Sequence, residues 1–303
     1  MLLKVRCCEG NTVSIKLTAA SKTDVGRQRE QNEDCPYMHI SEEGDRGLFI
    51  VADGMGGYQA GEVASKLAVQ KISETLRSFL VPLSEQPTIK LTPVTEEETI
   101  RLDPASVKEQ TAKQQHKTRK LPETSVSKNV EEQLKAAIRQ ANRAILSYGE
   151  AQSSARGLGC TVTTALIQDD HAYIGNIGDS RTYLFRDGIL TSLTKDHSLV
   201  YRLVEAKQIQ PDDIYSHPQR NLIYRSLGAG HKSVDPDVFQ ASLRPGDSLL
   251  LCSDGLWEMV RHQELEKVLK ENSNAQKICD ILIELANANG GEDNITAVLV
   301  QVH

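Results

Sequence analysis

What this chain of 303 residues lacks already excludes several classes of protein. Its longest apolar runs, such as residues 48–52, have the length of a strand, so no segment is long enough to span a bilayer. Charge begins at Lys4, which is not the pattern of a secretory signal, and we therefore expect a cytoplasmic protein with no membrane partner. The net charge is −6 and no basic block is present, which argues against nucleic-acid binding.

Paired cysteine motifs are also missing. The six cysteines are scattered and form no CxxC pair, so in a reducing compartment we expect free thiols. The adjacent Cys7 and Cys8 leave three interpretations open, namely a metal contact, a disulfide to a partner, and no function.

One segment differs from the rest of the chain in composition. Residues 82–128 contain five of the ten prolines but no glycine and no Phe, Tyr or Trp. Such a stretch cannot bury enough apolar surface to offset the entropy of ordering it, so we interpret it as a flexible insertion. We expect a tail over 1–15 and a single domain over 16–303 that carries this insertion.

The periodicity of the remaining sequence predicts helix pairs and antiparallel strands. Helices are predicted at 59–80, 129–148, 263–270 and 275–288, and strands at 161–167, 172–177, 181–185, 248–252 and 295–302. Consecutive strands bracketed by helix pairs do not fit a regular βαβ alternation. We therefore predict an α+β fold, a four-layer α-β-β-α sandwich of two antiparallel sheets flanked by helix pairs. Residues 198–225 have weak periodicity and predict a mobile excursion over one end of the sheets.

Aspartates recur at the ends of the apolar strands, usually beside glycine. They are Asp53 before Gly54, Asp254 before Gly255, Asp179 after Gly178, Asp293 after Gly290-Gly291-Glu292, and Asp34 just before Tyr37-Met38. A single Asp-Gly is usually only a turn, as we expect at Asp187-Gly188. Converging carboxylates would repel one another strongly unless cations were present.

Oxygen ligands without a histidine or cysteine cluster favour Mg²⁺ or Mn²⁺ over Zn²⁺. Paired hard cations suit phosphoryl chemistry, because they activate a water and stabilise charge on phosphate oxygens. Arg29, five residues before Asp34, is then the candidate phosphate clamp, since its planar fork matches two oxygens at once.

Taken in order, these motifs resemble those of the metal-dependent type 2C (PPM family) serine/threonine protein phosphatases, bacterial branch. The matching stretches are residues 23–34, 51–57, 159–161, 175–181, 194–198, 253–257 and 293–296, and the resemblance covers residues 20–302 apart from the insertion. The family implies a phosphatase for phosphoserine and phosphothreonine that opposes a bacterial-type protein kinase. It also implies in-line attack by a metal-bridging water without a phosphoenzyme. We expect a monomer.

The resemblance also implies roles for individual residues. Asp53 would bridge two Mn²⁺ or Mg²⁺ ions, with the Gly54 carbonyl on the second and Asp254 and Asp293 on the first. Glu33 and Asp34 would act near the second ion, partly through waters, with Asn294 in a supporting position. Asp179 with Asp254 would hold a third, weaker ion, Arg29 would bind the phosphate, and residues 198–225 would be the flap beside the site.

Two positions depart from the family. Animal members carry a histidine where this chain has Met55, and bacterial members often carry one where it has Tyr58. These changes leave the general acid open, with a metal-bound water as a candidate, while His197 is expected to be structural. Two other functions remain open, namely a catalytically silent binding module and a phosphohydrolase for a small molecule.

Overall fold

The computed structural model describes residues 15–56, 60–80, 124–152, 155 and 157–303. Within them two antiparallel sheets form. The five-stranded sheet has the order β1 (Leu17–Asp24), β12 (Ile295–Val302), β11 (Ser248–Cys252), β7 (Arg181–Arg186) and β8 (Ile189–Ser192). The seven-stranded sheet has the order β10 (Asp237–Ser242), β6 (His171–Ile177), β5 (Val162–Gln168), β3 (Arg46–Met55), β4 (Gly159–Cys160) and β9 (Leu227–Gly228), with β2 (Asp34–Ile40) on β3.

Helices cover the outer face of each sheet. The helices are α1 (Ala60–Leu76), α2 (Thr124–Ala151), α3 (Leu199–Glu205), α4 (Asp254–Trp257), α5 (His262–Glu271) and α6 (Ala275–Ala288). The first two pack on the seven-stranded sheet, and the last three pack on the five-stranded sheet. Because successive strand residues point to opposite faces, Ile50 of β3 faces the helices while Phe49 and Val51 face the other sheet. The predicted α-β-β-α sandwich is confirmed.

Several boundaries differ from the sequence prediction, most of them by one to three residues. The helix after the insertion begins at Thr124, so the last five residues assigned to the insertion 82–128 belong to α2. The preceding helix ends in a 3-10 turn at Arg77–Leu80. Ile15, which the sequence analysis assigned to the tail, is 1% exposed. Its side chain packs in the apolar layer between the two sheets. Residues 82–123, Cys7, Cys8 and Tyr58 lie outside the described residues.

The flap, residues 198–225, contains more regular structure than its weak periodicity predicted. Helix α3 begins at the cap residue Ser198, whose hydroxyl accepts a hydrogen bond from the Tyr201 N–H. A 3-10 turn follows at Pro211–Tyr215, and a bridge between Ser198 and Ile223 closes the base of the flap. No helix in the described part of the chain is both long and apolar enough to cross a bilayer.

Candidate active site

The strand ends gather the predicted carboxylates at one end of the sandwich. Asp34, the first residue of β2, is paired in register with Asp53 near the end of β3. Asp254 begins the helix that follows β11, and Asp293 lies two residues before β12, the neighbouring strand. A cavity of about 230 Å³ is lined by Arg29, Glu33, Asp53, Gly54, Asp179, Asp254 and Asp293, together with five other residues.

Asp34 lies behind the cavity wall rather than on it. The residue is 9% exposed, and its Oδ2 accepts a hydrogen bond from the Ser253 hydroxyl at 2.7 Å. The other oxygen, Oδ1, is buried without a hydrogen-bond partner, as is Oδ1 of Asp254. Buried carboxylate oxygens without partners are costly, so these atoms indicate that a cation belongs beside them.

The electrostatics of the cluster lead to the same conclusion. Burial, followed by the charges of neighbouring aspartates, raises the pKa of Asp53 and of Asp179 well above the ordinary value. Burial also raises the pKa of Asp34 to about 8 and that of Asp254 to about 6. Without cations these acids ionise only at higher pH than an ordinary aspartate, because each would add charge to the same small volume. The oxygen-only donor set therefore fits hard divalent ions.

Arg29 and Asp293 form an ion pair at the mouth of the cavity. A guanidinium nitrogen of Arg29 lies 2.6 Å from Oδ2 of Asp293, and the Arg29 side chain is 52% exposed. Oδ1 of Asp293 accepts a hydrogen bond from the Asn294 N–H at 2.8 Å. Among the described residues, no three His, Cys, Asp or Glu side chains are already arranged to hold a metal ion.

Asn294 braces the loop that carries Arg29. Its side-chain oxygen accepts a hydrogen bond from the Glu33 N–H at 2.8 Å, and its amide nitrogen donates to the carbonyls of Val25 and Gln31, each at 2.9 Å. The supporting position predicted for Asn294 thus corresponds to contacts with the backbone of residues 25–33.

Glu33 faces the cavity but is also engaged with helix α1. Its carboxylate accepts hydrogen bonds from the backbone N–H groups of Gly61 and Glu62 in the first turn of α1. Unpaired N–H groups in this turn favour a carboxylate. Burial nevertheless outweighs these bonds and raises the pKa of Glu33.

Glycine is required where the strand ends approach neighbouring backbone. A Cβ on Gly54 would overlap the carbonyl oxygen of Gly61 and lie 2.6 Å from that of Glu33. A Cβ on Gly255 would overlap the carbonyl oxygen of Asn294. The Asp-Gly pairs therefore place carboxylates at a site where two backbone segments meet closely.

Several residues of the matching stretches and the flap also shape the site, although the sequence indicated no individual role for them. Thr161 donates its N–H to the Asp53 carbonyl at 2.8 Å, and the flap residues Asn221 and Ile223 line the cavity. The Trp257 indole N–H donates to the Asp179 carbonyl at 3.0 Å, while the Arg181 guanidinium stacks 3.5 Å from the centre of the indole ring. All these contacts join residues far apart in the chain, so local pattern carried no signal for them.

Met55 lines the cavity at the position where animal members of the family carry histidine. His197 is buried, its Nδ1 accepting a hydrogen bond from the Gly178 N–H at 3.0 Å and its Nε2 lying 3.2 Å from Oδ2 of Asp237. Burial lowers the pKa of His197. His197 does not line the acidic cavity, and these contacts are typical of the structural role predicted for it.

A larger cavity of about 540 Å³ lies between the flap and strands β7 and β8. Its lining includes Tyr183, Tyr201, Tyr215 and Phe239, and it contains none of the predicted site residues. The acidic cavity, although smaller, is therefore the candidate active site.

Buried carboxylates that need cations, with an arginine fork at the cavity mouth, define the site of a metal-dependent enzyme acting on phosphate esters. The sequence model of the family "Protein phosphatase 2C" matches residues 101–295. The chain belongs to the protein phosphatase 2C family, and it is therefore an enzyme. The predicted family is confirmed.

Relatives of known name and solved structures support the same family. The serine/threonine phosphatase stp of Listeria monocytogenes is 34% identical over 283 residues, which cover 93% of this chain and 95% of the relative. The crystal structure of the Mycobacterium tuberculosis serine/threonine phosphatase PstP/Ppp superposes with a TM-score of 0.71 at 33% identity, covering 94% of this chain and 98% of that one. A structure of the PstP catalytic domain in complex with two manganese ions has a TM-score of 0.70 at 31% identity, covering 95% and 99%.

Proposed function

We propose that this protein is a metal-dependent phosphatase that hydrolyses phosphoserine and phosphothreonine in proteins. The observation that carries this proposal is the single cavity in which Asp53, Asp179 and Asp254, with raised pKa values, face Arg29. Relatives named as serine/threonine phosphatases support the substrate class.

Two divalent ions, Mn²⁺ or Mg²⁺, would be held by Asp53, the Gly54 carbonyl, Asp254 and Asp293, with Asp34 and Glu33 close to the second ion. Asp179 and Asp254 would hold a third ion more weakly. When bound, such ions supply an activated water and offset the charge on the phosphate oxygens. The unpaired oxygens of Asp34 and Asp254 support this assignment.

Arg29 orients the phosphate. Its exposed guanidinium lies at the cavity mouth, where its fork can donate to two phosphate oxygens at once. Asn294 limits the motion of this arginine by bracing the backbone on either side of it, at Val25, Gln31 and Glu33. Met55 has no proton to give, so the proton for the leaving oxygen comes from another group.

The biological setting follows from this activity. We propose that the enzyme opposes a serine/threonine protein kinase of the bacterial type, and that it acts in the cytoplasm as a monomer. It takes no nucleic-acid partner, since no basic block is present in a chain of net charge −6.

The test is phosphate release from phosphothreonine, phosphoserine and phosphotyrosine peptides and from an aryl phosphate, each with and without Mn²⁺. We expect Mn²⁺-dependent turnover with higher kcat/KM on the phosphothreonine and phosphoserine peptides. Asp53→Asn should lower kcat/KM on these peptides at least about a hundredfold, because several kcal/mol of metal-assisted stabilisation of the transition state is lost.

Asp187→Asn is the matched control, because Asp187 occupies the exposed hairpin turn between β7 and β8. No release from any substrate would favour the silent binding module. A preference for small phosphates over every peptide would favour the small-molecule phosphohydrolase.

A further inference from the structure

The larger cavity between the flap and strands β7 and β8, which we call the flap cavity, has the size of a ligand site. Its volume of about 540 Å³ falls within the ~300–1,000 Å³ of typical small-molecule pockets. Its walls include strands β7, β8 and β10, helix α3 and the 3-10 turn at Pro211–Tyr215. A molecule bound here would therefore be enclosed by both sheets and the flap.

Aromatic rings are concentrated around the flap cavity. Phe, Tyr and Trp make up 4% of the chain, but they are four of the fifteen residues described in this lining. Tyr183 and Phe239 come from the two sheets, and Tyr201 and Tyr215 come from the flap. Rings contributed from several sides favour a flat aromatic ligand, because aromatic pairs gain from offset and edge-on contact beyond the area that they bury.

The lining also offers hydrogen-bond donors. The hydroxyls of Tyr201 and Tyr215 have no hydrogen-bond partner among the described residues. Both side chains are half-buried. A few polar groups in a mostly apolar pocket orient a ligand, so these hydroxyls fit a molecule with a hydrogen-bond acceptor.

The charged side chains of the lining balance one another. Two are cations and two are carboxylates, namely Arg181, Lys195, Asp196 and Asp212. The Nε of Arg181 lies 2.9 Å from Oδ1 of Asp196, and the Arg181 side chain is only 12% exposed. A lining with no net charge favours an uncharged ligand, because no surplus opposite charge would offset the cost of removing an ion from water.

Two lining residues connect the flap cavity to the acidic cavity. The Arg181 guanidinium stacks 3.5 Å from the centre of the Trp257 indole ring, and Tyr215 meets the same ring edge-on. The indole N–H donates to the Asp179 carbonyl at 3.0 Å. A molecule packed against Arg181 and Tyr215 therefore alters the surroundings of Trp257, which is the only tryptophan of the chain.

We propose that the flap cavity is a second, regulatory binding site for an uncharged, flat aromatic molecule of one or two rings that carries a hydrogen-bond acceptor. The bound molecule orders Arg181 and Tyr215 on the indole ring, and so strengthens the hydrogen bond from Trp257 to the Asp179 carbonyl. The two cavities share none of their described lining residues. The site therefore stands whether or not the proposed phosphatase activity is found.

The test uses quinoline, an uncharged two-ring molecule with one acceptor nitrogen, on the full-length, metal-free protein at pH 8. N-methylquinolinium and quinoline-2-carboxylate are the charge controls, because they keep both rings and add a positive or a negative charge. Two quantities are measured by NMR: the dissociation constant, and the resonance and hydrogen-exchange rate of the Trp257 indole N–H.

Val204→Phe is the variant that blocks the site. Val204 lines the flap cavity from helix α3, so a phenyl group there occupies the space of the ligand. Leu203→Phe is the matched control, because it enlarges the preceding residue of the same helix, which does not line this cavity.

We expect quinoline to bind the wild type and Leu203→Phe with a dissociation constant of about 1 mM or tighter, as for a good ligand of this size. Binding should shift the Trp257 indole resonance and slow its exchange about fivefold or more at saturation, the lower end of typical coupling between two sites. Val204→Phe should weaken binding at least about tenfold, because the phenyl group clashes with the ligand. Both charged analogues should bind at least about tenfold more weakly than quinoline.

No binding of quinoline, or equal binding by Val204→Phe and the wild type, would overturn the site. Equal or tighter binding of either charged analogue would overturn the uncharged class of ligand. Binding that leaves the Trp257 signal unchanged would overturn the connection to Asp179. If Val204→Phe does not fold, Tyr201→Ala carries the same comparison, since it removes one ring and one hydroxyl from the lining.

Discussion

Replacing Asp254 by asparagine should stabilise the metal-free protein at pH 8 while abolishing catalysis. Burial, and next the charge of Asp293, raises the pKa of Asp254 from 3.8 to about 6 in the folded state. A carboxyl group with a raised pKa holds its proton longer in the folded than in the unfolded chain. Its ionisation therefore weakens the fold progressively as the pH rises from about 4 to about 6, and the penalty stays constant above that.

The size of this penalty follows from the two values. At about 1.4 kcal/mol per pH unit, the difference between 3.8 and about 6 corresponds to about 3 kcal/mol at pH 8. At pH 4 most of the penalty is absent, and it falls below about 1 kcal/mol. Asparagine is nearly isosteric and carries no charge, so it removes the penalty and keeps an acceptor for the Gly255 N–H.

Urea unfolding with a chelator present, at pH 8 and at pH 4, measures the effect. At pH 8 the midpoint of Asp254→Asn should rise by about 1 M, given slopes of about 1–3 kcal/mol per molar urea, and at pH 4 it should move little. The control is Asp187→Asn, at the exposed turn. An unchanged or lower midpoint at pH 8, or an equal gain at both pH values, would refute the reasoning.

Three further predictions concern separate parts of the protein. Gly54→Ala should lower the free energy of unfolding by about 1–3 kcal/mol, because its Cβ would meet the carbonyl oxygens of Gly61 and Glu33; an unchanged thermal midpoint would contradict this. Arg29→Met should lower kcat/KM for an aryl phosphate at least about tenfold, through loss of a charge-assisted bidentate contact, while calorimetry shows Mn²⁺ still bound; loss of Mn²⁺ binding would assign Arg29 a structural role instead. Replacing residues 82–123 by a short Gly-Ser linker should leave phosphopeptide turnover unchanged; a folded but inactive variant would show that the insertion takes part in catalysis.

Three elements could be predicted from the sequence to the residue. The strands Ser248–Cys252 and Ile295–Val302 and the helix Ala275–Ala288 have the predicted bounds. Each carries a continuous apolar run or an apolar stripe with clear ends, such as the Asn274 side chain that accepts a hydrogen bond from the Lys277 N–H.

Other elements depend on contacts between distant residues. The two-residue strands Gly159–Cys160 and Leu227–Gly228 pair with each other, and the first also pairs with the end of β3. Local pattern could not reveal them. Thr124–Lys128, the start of α2, lacked the composition from which a helix is predicted.

The residues of the candidate site could be predicted from the sequence, but most of their contacts could not. Aspartate beside glycine at the ends of apolar strands was visible in the sequence, and the structure gathers Asp53, Asp179, Asp254 and Asp293 around one cavity. Not visible were the partners of these residues. The ion pair between Arg29 and Asp293 and the contact of Glu33 with the first turn of α1 each join segments that only the fold brings together.

The most direct test of the account is calorimetric titration of the metal-free protein with Mn²⁺ at pH 8, beside Asp53→Asn and the control Asp187→Asn. The central claim is that the strand-end aspartates hold two ions and that Asp53 is shared between them. We predict two tightly bound ions per chain with a weaker third for the wild type and the control, and loss of both tight ions in Asp53→Asn. A wild type that binds no Mn²⁺, or an Asp53→Asn variant that binds two ions as tightly as the wild type, would contradict the account.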